Sequence, residues 1–242
     1  MRRFLVHEAP RVNEPFFLVG DQAAHAAVLR LSPGEAVELF DGSGASWRAQ
    51  VTSTAPGRME LWVEEKRPAG EASAIRLHLA LALVKTKRMD TAVRMAAELG
   101  VAGFHPLLCD RSVPRPRDAA NRMDRWRKIA VEAAKQSTNN RVMEVFPPAG
   151  LEQLCQGTRD YALRVFFWER LAGPFFLPQD APRKGDVLAV VGPEGGFAPR
   201  EVRLLESEGL VPVGLGPRIL RAETAAVAAC ALLQYTLGDL GA

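Results

Sequence analysis

Two stretches of the sequence combine backbone freedom with charge in a way that suits an organic ligand. The first is VVGPEGGFAPREV, residues 190–202. There Gly192, Pro193, Glu194, Gly195 and Gly196 follow an apolar run, and one carboxylate stands among residues with little side chain. Glycine lets a ligand approach the backbone where a Cβ would block it, and proline stiffens the loop. The second is GLGPRILRAETAAVAACALL, residues 214–233. Gly214, Gly216 and Pro217 lead through a short apolar piece to a helix start. Arg221, just ahead of that helix, is placed to hold an anion or the oxygen of an enolate-like base. Glu223 and Thr224 stand where a carboxylate and a hydroxyl favour exposed helix amides, so capping accounts for them at this level.

The familiar phosphate-binding patterns do not fit. There is no GxxxxGK[ST], and no GxGxxG between a strand and a helix. Gly42-Ser43-Gly44 lies in a hairpin, and Gly214-Leu215-Gly216 lacks a third glycine. Backbone groups and apolar side chains better suit an adenosine-type ligand without phosphates. The four histidines have no metal-ligand spacing, so no metal is expected. His78 reads as a packed strand residue. Cys109, Cys155 and Cys230 are odd in number and outside any CxxC pair, which predicts a reducing, cytoplasmic setting without disulfides or structural zinc. No apolar run approaches the ~20 residues that a membrane span needs.

The elements that must position these loops follow from periodicity. With 48% hydrophobic residues, the chain can bury a substantial core. Residues 1–68 alternate in short runs, with a hairpin around Asp41-Gly42-Ser43-Gly44 and a short helix between Val19 and Arg30, opened by Asp21 as its cap. That predicts a small β-barrel. Residues 69–74 have linker composition. From residue 75 the pattern changes. IRLHLALALVK, residues 75–85, is nearly continuous in apolar residues, as a strand buried on both faces should be. Helical stripes then alternate with the strand candidates VAGFHPLLC, YALRVFFWE, DVLAVVG and LVPVGLG. The expected fold of 75–242 is α/β, a mainly parallel sheet with helices on both faces. In such sheets ligands sit outside the carboxyl ends of the strands, where both glycine loops fall.

Charge is distributed unevenly. Residues 1–68 carry 8 basic and 9 acidic residues, whereas residues 111–141 carry 9 basic and only 3 acidic ones. A local excess of that size suits a polyanion such as nucleic acid. His25, on the short first helix, belongs either to an RNA-facing surface or to packing.

VGPEGGF followed by LGPRILRAETAA closely resembles the SPOUT superfamily of S-adenosylmethionine-dependent methyltransferases. Within it the chain is most similar to the family that methylates N3 of a uridine in 16S ribosomal RNA. HAAVLRLSPGE, VKTKRMDTAVRMAAELGV, RSVPR and RWRKIAVEAAKQS agree with that family, so the resemblance runs from about Arg2 to Leu240. Met95, Asn139 and Met143 depart from it, standing where a lysine, an arginine and a proline are expected. The resemblance implies an N-terminal PUA-like β-barrel for RNA, a C-terminal domain tied in a trefoil knot, and a homodimer acting on 16S rRNA or the small ribosomal subunit. It implies a pocket for S-adenosylmethionine formed by Gly192, Pro193, Glu194, Gly195 and Gly196 facing Leu215, Gly216, Ile219 and Leu220, joined by Leu83 and Thr224. Arg221 is expected to face a uracil carbonyl in the reaction, with Glu194 or Glu223 taking the N3 proton. Arg2, Arg3, His25, Arg30, Arg111, Arg115, Arg117 and Arg141 are the expected RNA contacts. Two rivals stay open: a SPOUT enzyme for another rRNA or tRNA position, and a non-catalytic ribosome-assembly factor.

Overall fold

A computed structural model describes residues 1–70, 73–112, 119–171 and 173–241. Contacts divide the chain into two compact units, Met1–Ala72 with Ala134–Val142, and Ser73–Ala133 with Met143–Ala242. The first unit therefore takes in a late segment, residues 134–142, that the sequence-based division assigned wholly to the second domain.

The first unit is built on a five-stranded sheet and one helix: β1 (Arg2–Leu5), β2 (Pro15–Val19), α1 (Gly20–Val28), β3 (Ala36–Phe40), β4 (Ser46–Ala55) and β5 (Arg58–Arg67). Strand order is β1-β3-β4-β5-β2, with β1 parallel to β3 and the other neighbours antiparallel. Alternation sends Trp47, Ala49 and Val51 of β4 and Met59, Leu61 and Val63 of β5 to one face, where they meet Phe4, Val37, Leu39 and Ala26. Two register shifts in the β4–β5 ladder mark irregular points of the kind that bend a sheet. β1 and β2 remain the two edges of the ladder, so hydrogen bonding does not close a barrel among the described residues. The predicted hairpin joins β3 to β4, with the Asp41 carboxylate accepting from the Ser43 N–H and hydroxyl, both at 2.8 Å. Helix α1 begins at Gly20, two residues before a cap at Asp21 would require.

The second unit contains β6 (Ile75–Ala82), α2 (Thr86–Glu98), β7 (Gly103–Leu108), α3 (Ala119–Gln136, whose last turn is grouped with the first unit), β8 (Glu144–Val145), β9 (Ala149–Gly150), α4 (Leu151–Gly157), β10 (Leu163–Phe167), β11 (Gly185–Val191), α5 (Pro199–Ser207), β12 (Val211–Val213) and α6 (Ala222–Leu237). Its sheet runs β12-β10-β11-β6-β7-β8, with β9 also on β7, and every pairing is parallel. Ala80, Phe166, Leu188 and Val190 point to one face and pack with Leu151, Leu154 and Cys155 of α4 and Val202 and Leu205 of α5. Helix α6 packs on β6 and β11 and against α2. This agrees with the expected parallel sheet. Each fully buried aliphatic side chain of this core contributes roughly 1.5–3 kcal/mol.

The α2 C-terminus shows how the sequence fixes an end. Gly100 has φ +74°, its N–H donates to Ala97 O at 3.2 Å, and the Val101 N–H donates to Ala96 O at 3.1 Å. That is the double closure of a Schellman motif, for which glycine is favoured. β8, β9 and α4 were not anticipated; two strands of two residues and a seven-residue helix are too short to display a period. Among the described residues no helix is long and apolar enough to cross a membrane. All three cysteines are free.

Candidate active site

Strands β10, β11 and β12 end side by side, and the loops leaving them line an open cavity of about 70 Å³. From β10 it is lined by Phe167, Trp168 and Glu169. The β11 end supplies Val191, Gly192, Pro193, Glu194 and Gly196. The loop after β12 supplies Leu215, Gly216, Arg218, Ile219 and Leu220, and the first turn of α6 adds Ala222 and Ala225. The two glycine loops singled out from the sequence therefore do share one pocket.

Local chemistry explains why glycines stand here. Gly196 has φ +67° and its N–H donates to Pro193 O at 2.9 Å; a Cβ on it would lie 2.3 Å from a carboxylate oxygen of Glu169. At Gly214 the constraint is backbone against backbone, since a Cβ there would lie 2.3 Å from Leu171 O. The chain leaving β12 thus runs tightly beneath the β10–β11 connection, and the Gly216 N–H donates to Gly173 O at 3.0 Å.

The other predicted ligand residues sit outside the cavity lining. Leu83 is buried and its N–H donates to Leu107 O at 2.9 Å. The Gly195 carbonyl accepts from Arg111 Nη1 at 2.8 Å. Arg221 is the exposed residue that precedes α6, followed by Glu223 and exposed Thr224 in its first turn. No side-chain capping hydrogen bond forms at that helix start.

Arg88, in the first turn of α2, contacts Glu194 through Nη1 and places Nε 3.5 Å from Glu223 Oε1. Sequence reasoning missed this residue, along with Glu169, Trp168 and Arg218. Trp168 and Glu169 had a legible signal, because they follow a predicted parallel strand at the same carboxyl edge. Arg88 had one too: it follows Lys85 and Lys87 in KTKRM, at a helix start where positive charge is disfavoured.

The predicted RNA contacts separate on inspection. Arg2 and Arg30 are exposed. Arg3 requires a correction. It is 6% exposed, and its guanidinium donates to Ala134 O at 2.8 Å and Asn139 O at 3.3 Å, touches Asn140 Oδ1, pairs with Glu38 at 3.2 Å and lies over the Phe40 ring. A buried cation with every partner inside the protein is a structural clamp for residues 134–140. Exposed Arg141 donates to Ser43 O at 2.5 Å and rests on Gly44. Arg111 is exposed apart from its bond to the glycine loop. Arg115 and Arg117 lie outside the described residues, as does the side chain of His25. Within the same basic stretch, Arg125 donates to Asp90 through Nε at 2.9 Å and Nη2 at 2.6 Å, tying α3 to α2.

A second group of titratable side chains lies nearer the amino ends of the strands. His78 is 3% exposed, with Nδ1 3.2 Å from His105 Nε2 and 3.3 Å from the Tyr161 hydroxyl. Its Nε2 stands 3.6 Å from Asp186 Oδ1, which is 2.9 Å from Arg76 Nε. His105 stacks on Phe146 with ring centroids 4.1 Å apart. Burial pulls both imidazoles below their ordinary range, His105 to about 4. Burial likewise pushes the Cys230 thiol up to about 12, which leaves it inert. Among the described residues no cluster of His, Cys, Asp and Glu could hold a metal ion.

Comparison with known proteins identifies the architecture. Residues 71–234 match the RNA methyltransferase domain family, and residues 18–61 match the RNA methyltransferase PUA domain family. The chain is 35% identical to ribosomal RNA small subunit methyltransferase E of Synechocystis sp., over 87% of this chain and 69% of that protein. It is 30% identical to the Bacillus subtilis protein of the same name, over 95% of this chain and 92% of the relative. The crystal structure of a ribosomal RNA small subunit methyltransferase E from Neisseria gonorrhoeae bound to S-adenosyl methionine superposes with a TM-score of 0.92, at 30% identity and 99% coverage of both chains. A PUA-like unit precedes a parallel-sheet methyltransferase unit, and the chain belongs to the ribosomal RNA small subunit methyltransferase E family.

Proposed function

We propose that this enzyme transfers the methyl group of S-adenosylmethionine to N3 of one uridine in 16S rRNA, as a cytoplasmic homodimer whose second unit is knotted. The observation that carries the reading is the cavity shared by the loops after β10, β11 and β12. Its content fits the donor. Glycine backbone and Leu215, Ile219 and Leu220 suit an adenosine, while the carboxylates of Glu169 and Glu194 suit a ligand with cationic groups. The open space at Gly216, where a Cβ would meet nothing within 4 Å, supports a wall in which backbone, not side chain, meets the ligand. When bound, the donor supplies a methyl group already activated by its positive sulfur.

The protein must then hold the uracil in line with that methyl, since positioning can supply much of the barrier reduction. Uracil N3 bears a proton and shares its lone pair with two carbonyls. Arg221 faces one carbonyl oxygen as negative charge develops. Glu194 or Glu223 accepts the N3 proton. The base leaves its stack at a cost of a few kcal/mol, and exposed cations such as Arg2, Arg30 and Arg111 hold the RNA backbone.

The knot is supported by the tight passage of Gly214 beneath Leu171 and Gly173, and by α6 returning to the middle of the sheet from an edge strand. Self-association is supported by Ile219 and Tyr235, 84% and 67% exposed, beside a helix rich in small apolar residues. The test is product analysis. Small subunits from a strain lacking this enzyme, incubated with protein and donor, should yield 3-methyluridine on nucleoside mass spectrometry. A ribose-methylated or C5-methylated product would refute the assignment.

A further inference from the structure

Arg88 is the third residue of α2, and no acid stands in that first turn. The helix dipole already gives this end positive character, and Lys85 and Lys87 add more. A cation held at such a place needs partners from elsewhere. Arg88 has two, and they are the two carboxylates whose roles the reaction leaves undivided. Glu194, from the loop after β11, contacts Nη1, and Glu223, from the first turn of α6, lies 3.5 Å from Nε.

The two acids differ in surroundings. The Glu194 side chain is 43% exposed, whereas that of Glu223 is 16% exposed. Glu223 Oε1 faces Arg88, while Oε2 is buried and has no hydrogen-bond partner among the described residues. An acceptor withdrawn from water without a donor costs about 1–3 kcal/mol, more when charged, so such a group needs an explanation. Glu223 itself is not part of the cavity wall, but Ala222, which precedes it, and Glu194, which shares Arg88 with it, both line the cavity.

We propose that Glu223 is the catalytic carboxylate that takes the N3 proton through its unpartnered oxygen, and that Arg88 is the residue that positions it. This rests on the uracil-N3 reading above. The step balances within the named reactants. The N3–H bond breaks and its proton goes to Glu223 Oε2. The N3 electron pair forms the new N–CH₃ bond. The S–CH₃ pair returns to sulfur, which leaves S-adenosylhomocysteine, and Glu223 later gives the proton to solvent. Arg88 fixes the rotamer of Glu223 through Oε1, while Glu194 completes the guanidinium's pairing from the solvent side.

The test uses full-length protein, small ribosomal subunits and donor. Glu223→Gln should lower kcat at neutral pH by ~10²-fold or more, the span usual for a lost general base. Donor affinity by calorimetry should stay within about twofold. The deficit should shrink as pH rises toward the range where the imide ionises unaided, since the acceptor then arrives without its proton. Arg88→Gln should cost roughly tenfold in kcat with KM little changed, and Arg88→Lys should recover part of the loss. Should Glu223→Gln fail to fold, Glu223→Asp gives the same readout with the carboxylate kept but withdrawn. Wild-type kcat in Glu223→Gln, a deficit constant with pH, or a loss of donor affinity as large as the loss of rate would overturn the proposal. So would Glu194→Gln showing the pH-rescued loss in its place. A wild-type enzyme that makes no 3-methyluridine would sink the functional reading, and this with it; an active wild type beside an unimpaired Glu223→Gln would sink this inference alone.

Discussion

The parallel sheet of the second unit gathers titratable groups at two places, and treats them in opposite ways. At the carboxyl ends of β10, β11 and β12, Glu169, Glu194 and Arg218 line an open cavity, with Arg88 bridging from α2. Toward the amino ends, His78, His105, Tyr161 and Asp186 are packed together beside the Phe146 ring, and burial drives the imidazoles toward their neutral forms. Both places pair acids, bases and rings at hydrogen-bond distances. What separates them is the backbone. At the carboxyl end a Cβ on Gly216, which lines the cavity, would meet nothing within 4 Å, so that glycine leaves room for a ligand. At the other end a Cβ on Gly103 would lie 2.3 Å from His78 Nδ1, so the glycine there closes space around a side chain. A concentration of titratable residues therefore marks a reaction site only where the fold also leaves a volume beside it.

The largest effect that could break this contrast belongs to Arg221. Arg221→Ala should lower kcat by ~10²–10³-fold, as expected for a group that meets developing charge. Donor affinity should hold within about twofold, because Arg221 does not line the cavity. Full activity in this variant would remove the guanidinium from the reaction. Next in size is Gly214→Ala. Its Cβ meets the fixed carbonyl of Leu171 at 2.3 Å, so the strain cannot be relieved by a flexible side chain. We expect a loss of about 3 kcal/mol in unfolding free energy, together with weakened donor binding. An unchanged melting temperature would mean that the crossing beneath the β10–β11 connection is loose.

How far these features could be read in advance follows from the physics of each. The two glycine loops were legible, because a glycine cluster after a buried parallel strand has few structural uses and the carboxyl edge is where ligands bind. The β12-β10-β11-β6-β7 core was legible for the same reason, through long apolar runs. Arg3 was not: a cation two residues from the N-terminus looks solvated, and only the return of residues 134–140 from far along the chain buries it. Arg88 was obscured by its neighbours, since Lys85, Lys87 and Arg88 look like one solvated run until Glu194 and Glu223 are brought to one of them. The histidine cluster was half legible. His78 reads correctly as core, but its partners stand 27 and 83 positions away and no local pattern joins them.

Smaller effects test the amino-end cluster, and they should appear in stability alone. The folded pKa of His105 is about 4 against an ordinary 6.5, and that of His78 is also lowered, with desolvation as the main cause in both. Between those values the unfolded chain binds more protons than the folded one. Stability from this cluster is therefore complete above about pH 6.5 and is lost as pH falls through about 4. For His105 the loss is on the order of 3 kcal/mol. His105→Phe keeps the stack on Phe146 and should flatten the decline in unfolding free energy between pH 6.5 and 4, with kcat at neutral pH unchanged. A decline as steep as the wild type's would assign the acid sensitivity to other groups.

The finest test is Tyr161→Phe. The Tyr161 hydroxyl is one of two groups within reach of His78 Nδ1, the other being His105 Nε2. If the His78 proton resides on Nε2, toward Asp186, then Nδ1 is an acceptor and Tyr161 a donor to it. Burial, with Asp186 adding to it, raises the phenol above its ordinary range, so it is protonated and able to donate at neutral pH. Removing the hydroxyl leaves Nδ1 with His105 alone, so the cost should be about 1 kcal/mol and not the full penalty of an orphaned buried acceptor. The double variant with His105→Phe should then cost more than the sum of the two, because it strips Nδ1 of both partners. Additive losses would show that the two groups do not share that nitrogen, and that His78 is turned to present its other tautomer.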